Sequence, residues 1–125
     1  VKSRDPIDVG MYAFNCKDAA ALARFWSAVL MRPVDEGANP AFATIGFDGP
    51  GPTWMFHQPE GELASGDNRL MLDLSGDTDW AQQADRIEAL GAERVSDNEQ
   101  DDGTRWVVFR DPENNRFRIF GPRPV

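Results

Sequence analysis

Between Asn68 and Leu74 the chain reads NRLMLDL. Leu70, Leu72 and Leu74 alternate with Arg69, Met71 and Asp73, the period of a strand with one apolar face. An earlier strand is predicted at DVGMYAFN, Asp8 to Asn15. The period then changes. In KDAAALARFWSAVLM, Leu22, Phe25, Trp26, Val29 and Leu30 fall on one helical face, Asp18 is placed to cap the helix, and Pro33 ends it. Short strands follow around Val34, at Ala41 to Phe47 and at Thr53 to Gln58, with DGPGP (Asp48 to Pro52) as the clearest turn.

The second half runs in the same order. After the NRLMLDL strand, DTDWAQQADRIEALG predicts a helix capped by Asp77 or Thr78, with Trp80, Ala84, Ile87 and Leu90 inward and Gly91 as its stop. Strands follow at Glu93 to Val95, Thr104 to Phe109 and Arg116 to Phe120. RDPENN, Arg110 to Asn115, turns the chain between the last two. Met11 and Met71 are 60 residues apart, Val34 and Val95 are 61, and Phe47 and Phe109 are 62. A nearly constant offset over whole elements marks an internal repeat. The chain therefore predicts an α+β fold of tandem βαβββ modules in a single domain covering residues 1–125. Module one spans about 8–58 and module two about 69–120. The polar PEGELASGDN, Pro59 to Asn68, reads as the linker.

Composition narrows the partners. The net charge of −8 disfavours nucleic acid and leans toward neutral or cationic ligands. No apolar run approaches the length of a membrane span. Cys16 is the only cysteine, which rules out an internal disulfide and points to a reducing, cytoplasmic setting. No serine has a histidine partner in the pattern, and DGPGP is a turn rather than a phosphate loop, because its prolines lack the amides an anion cradle uses.

Three pieces carry a family resemblance: DAAALARFWSAVLMRPV, NRLMLDL with its helix ending RIEALGAERV, and WVVFRDPENNRFRIF. In this order, on a detected repeat, they resemble the vicinal oxygen chelate superfamily of glyoxalases, extradiol dioxygenases and fosfomycin- and bleomycin-resistance proteins, and most closely its small glyoxalase-like domains. The resemblance implies a curved mixed sheet around a cavity, helices outside, and assembly as a homodimer. Metal-dependent members place one ligand on the first and one on the last strand of each module, usually His or Glu. Carried over by spacing from Asp18, Asp77 and the Asp111-Pro112 turn, with the 62-residue offset mapping Arg118 onto module one, those positions read Met11, Phe56, Met71 and Arg118. Thioethers are soft donors and a guanidinium has no lone pair to offer, so no metal and no other cofactor is expected. His57, the single histidine, follows Phe56, and alternation turns it to the other face.

Stepping by two from these positions predicts a cavity lined by Met11, Phe42, Trp54, Phe56, Met71, Trp106 and Arg118, a mix suited to a small apolar or aromatic molecule. The expected function is binding of such a molecule, as in the drug-resistance proteins. The alternative is a metal-independent isomerase, lyase or cyclase. Arg118 would then stabilise negative charge and Asp73 would act as base. The same two residues equally suit a salt bridge closing the old metal position.

Overall fold

The computed structural model describes residues 6–64 and 66–124; residue 65, inside the expected linker, and the two chain ends lie outside the described residues. The chain divides into two compact units, one ending at Leu63 and the other starting at Ala64.

In the first unit, strand β1 (Met11–Asn15) leads into helix α1 (Ala19–Leu30), and β2 (Phe42–Ile45) and β3 (Thr53–His57) complete it. The sheet order is β1-β3-β2, with β1 parallel and β2 antiparallel to β3. A parallel pair needs a crossover, and α1 supplies it. The helix starts where Asp18 accepts the Ala21 amide at 3.1 Å, a cap worth about 1 kcal/mol. It stops at Met31, whose left-handed backbone (φ 55°) returns its N–H to the Ser27 carbonyl. The short strand expected around Val34 is reduced to a single antiparallel bridge between Val34 and Ile45. The Asp35 carboxylate accepts from the Thr44 hydroxyl and the Phe47 amide. It thereby ties the following turn to β2 in place of a longer ladder.

The core of this unit is aromatic. Trp26 on α1 lies 5.1 Å from Trp54 and 6.1 Å from Phe14, ring centre to ring centre, and Phe14 stacks on Phe56 at 5.0 Å. Tyr12, Phe14, Trp54 and Phe56 therefore form the sheet face that α1 covers, with Leu22, Phe25 and Val29 buried beside Trp26.

The second unit repeats the plan with a full set of strands. These are β4 (Leu72–Ser75), helix α2 (Trp80–Ala89), β5 (Glu93–Glu99), β6 (Arg105–Arg110) and β7 (Arg116–Phe120), in the order β4-β7-β6-β5. Again the first and last strands are parallel. Helix α2 differs from expectation at its start. It begins after Asp79, with no side-chain cap, rather than at Asp77 or Thr78. Ala84 and Ile87 are its buried positions, whereas Leu90, expected inward, is exposed. The strand expected from Arg69 begins only at Leu72, and Leu70 is 75% exposed instead of sharing the apolar face. The reason is Asn68. Its Oδ1 accepts the Arg116 amide at 2.7 Å, and its Nδ2 donates to the carbonyls of Arg116 (3.0 Å) and Leu70 (2.7 Å). One side chain thus takes the ladder bonds at the start of β7 that a longer β4 would have made.

Candidate functional site

Residues two apart on a strand share a face, so the strand registers decide what each sheet presents away from its helix. In the second unit Leu72 and Leu74 pair with Phe117 and Ile119 on the helix side, and Asp73 pairs with Arg118 on the other. Trp106 is the cross-strand partner of Phe120 and joins Arg118 on that open face.

These side chains form one connected group. Arg118 donates from Nε to Asp73 Oδ1 at 2.6 Å and from Nη2 to Oδ2 at 2.8 Å, the two-pronged geometry that makes arginine–carboxylate pairs directional. Its guanidinium carbon sits 4.9 Å from the centre of the Phe120 ring, within range of a cation–π contact. Phe120 in turn stacks on Trp106, centres 5.5 Å apart and planes inclined by 20°. Donation to the Asp73 carboxylate raises the Arg118 guanidinium above its ordinary value, against the smaller opposing effect of burial. Arg118 is therefore a fixed cation. Both oxygens of Asp73 accept from it, one bond each.

Beside this group lies a pocket of about 630 Å³ at the carboxyl ends of β4 and β7. Asp73, Ser75, Gly76 and Phe120 border it, with Asp102 and Thr104 from the β5–β6 turn and the segment Gly121 to Pro124. Gly76 and Gly121 are required there because Trp80 packs on both. An added Cβ would lie 2.4 Å from the Trp80 Cβ at Gly76, and 2.9 Å from the indole at Gly121. Met71, half-buried, sits directly before β4 and does not border the pocket.

The first unit corrects the expected lining. Met11 (40% exposed) and Phe42 (49% exposed) lie on the open face, but Trp54 (8%) and Phe56 (0%) do not. Those two are core residues stacked with Phe14 and, for Trp54, with Trp26 of α1. The ladders show why. Asn15 pairs with His57 as Ser75 pairs with Phe120, so the repeat offset has grown to 63 on the last strand. An alignment short by one residue turns every side chain of a strand to the opposite face. The counterpart of Arg118 is therefore Met55, paired with Ala13, and His57 turns to the open face. Strand β3 itself holds a signal for this. In TWMFH the aromatics alternate with Met and His, and two large rings facing α1 explain the alternation.

With that correction, the positions that the resemblance implies for metal ligands read Met11, Met55, Met71 and Arg118. Three thioethers and a cation already paired with Asp73 do not fit a hard divalent ion. Among the described residues, no three or more His, Cys, Asp or Glu side chains come together as a metal-binding group. No helix among the described residues is long and apolar enough to cross a membrane.

Each unit is a mixed sheet with one helix on one face, the first and last strands of the unit paired in parallel. The profile of the glyoxalase-like domain matches residues 11–120. Among solved structures, a glyoxalase/bleomycin resistance protein/dioxygenase family enzyme from Burkholderia phytofirmans PsJN superimposes with a TM-score of 0.76 at 22% identity, over 92% of this chain and 98% of that one. A glyoxalase-related enzyme from Fulvimarina pelagi gives 0.72 at 16% identity, over 92% and 88%. A fosfomycin resistance protein from Mesorhizobium loti gives 0.67 at 14%, over 96% and 94%. No curated protein matches the chain by sequence. The chain belongs to the glyoxalase-like domain family.

Proposed function

We propose that this protein is a metal-independent binder of a small, flat organic molecule, held on the open sheet face of its second unit. The observation that carries the reading is the stack of Trp106, Phe120 and Arg118, with Arg118 locked by Asp73. A flat guanidinium held rigid on an aromatic ring extends the ring's surface, and a ligand ring can lie on either. Because the platform is already ordered, little side-chain entropy is lost on binding. The thioethers and the cation at the ligand positions support metal independence. Binding is favoured over catalysis because Asp73, the acid best placed to act as base, spends both oxygens on Arg118.

The test is a titration with 2-naphthylethanol followed through the indole N–H signals of the tryptophans. The Trp106 signal should move and that of Trp26, buried under α1, should not. Trp106→Ala should weaken binding roughly tenfold, the loss expected for about 1.4 kcal/mol of ring contact. An unmoved Trp106 signal, or unchanged affinity in Trp106→Ala, would remove the platform from the argument.

A further inference from the structure

The open face of the second unit carries three arginines, Arg110, Arg116 and Arg118. Arg110 and Arg116 are direct cross-strand partners on β6 and β7, an arrangement that destabilises a sheet unless the charges are met. A single carboxylate stands between them. Asp67 Oδ1 lies 2.9 Å from Arg110 Nη1 but 3.9 Å from Arg116 Nε, and the longer separation is beyond hydrogen-bond range. Arg110 also donates to the Asn114 carbonyl. Arg116 Nε, by contrast, is buried with no acceptor among the described residues, which is costly for a charged donor. The Arg116 side chain as a whole remains 35% exposed. Arg118, two residues on, is fully matched by Asp73. Glu93, the exposed cross-strand partner of Arg110, adds a third carboxylate to this face; among the three arginines Arg116 is the most loosely matched, its Nε held only by the 3.9 Å ion pair with Asp67.

The net charge of −8 argues against an anion only at long range. At physiological salt, charges more than about 8 Å away are largely screened, and at contact the loosely paired Arg116 decides. Arg116, Arg118 and Phe120 follow one another at two-residue steps along a single face, with about 7 Å between successive side chains. A ring lying on the Arg118–Phe120–Trp106 platform would therefore have Arg116 one step away, within reach of a short arm.

We propose that the ligand class of this site is an aromatic or similarly flat compound bearing an oxyanion, in its simplest form an aryl-alkyl carboxylate, whose anionic group Arg116 binds. The inference rests on the platform proposed above. Arg116 is the specificity-determining residue, and Arg118 is the stacking surface.

The experiment compares two probes with the same ring and the same two-carbon arm, 2-naphthylacetate and the neutral 2-naphthylethanol, by calorimetry at low salt. Wild-type protein should bind the acid at least tenfold tighter than the alcohol, and added salt should narrow the gap. Arg116→Gln should abolish the preference and leave the alcohol's affinity unchanged. Arg116→Lys, which keeps the charge, should retain much of the preference. Trp106→Ala should weaken both probes alike. The fold of Arg116→Gln is secured by backbone bonds, since Asn68 holds residue 116 through its N–H and carbonyl. Equal binding of acid and alcohol to wild type, or a preference that survives Arg116→Gln, would overturn the anion site and leave the platform standing. Absence of binding by both probes would overturn both.

Discussion

The corrected face of β3 makes a quantitative prediction from two adjacent residues. Phe56 is fully buried and stacks on Phe14 at 5.0 Å, in the cluster that α1 closes with Trp26. Phe56→Ala removes a whole ring from a packed core and leaves a cavity, at a cost of about 3–5 kcal/mol. Met55, its neighbour, is half-buried on the open face and pairs with Ala13. Met55→Ala loses part of one flexible side chain with solvent to fill the space, and should cost roughly 1 kcal/mol. The assay is urea unfolding of wild type and the two variants, followed by near-ultraviolet circular dichroism. Trp26 and Trp54 dominate the aromatic signal of the first unit. Phe56→Ala should lower the unfolding midpoint steeply or leave that unit unfolded, and Met55→Ala should shift it little. The reverse order, with Met55→Ala the more damaging, would restore Phe56 to the open face and refute the register.

Further outcomes follow from individual contacts. Asn68→Ala deletes the two hydrogen bonds that start β7 and a third to the Leu70 carbonyl; it should cost roughly 2 kcal/mol and speed amide exchange at Arg116, and unchanged exchange there would contradict the surrogate-strand role. The Thr44 hydroxyl, followed by the Phe47 amide, holds the Asp35 carboxyl below its usual value. The stability it contributes is therefore present above the unfolded value near 3.9 and is lost as pH falls through the lower folded one. Accordingly, Asp35→Asn should be less stable than wild type at pH 7, with the gap narrowing below about pH 4; a gap independent of pH would refute it. Elemental analysis of protein purified without chelator should find no stoichiometric zinc, manganese, iron or nickel, and a stoichiometric metal lost on Met71→Ala or Arg118→Ala would overturn the reading of those positions. Each sheet ends in edge strands, which proteins tend to cover, so we propose a homodimer, to be checked by light scattering at about 50 µM, where a weak dimer would form.

Local pattern alone determined both helices, the order of the elements and every strand but the one expected around Val34. The switch from a two-residue to a helical period placed α1 and α2 within a few residues, and the 60-residue spacing of Met11 and Met71 exposed the repeat. These features are legible because periodicity and capping act within one or two turns of the chain. The pairing of Asp73 with Arg118 was also legible as one of two open readings, because both modules bring first and last strands together. What the sequence did not determine was which face of β3 looks toward α1. That choice depends on the ladder between β1 and β3, which joins residues about forty apart, and on the fit of Trp26 against Trp54 and Phe14. A one-residue change in loop length leaves the local pattern intact and inverts the strand. For the same reason Asn68, inside what reads as a polar linker, showed no sign of replacing a strand. Its partner Arg116 is far away in sequence, and only tertiary packing brings that backbone within reach of its amide.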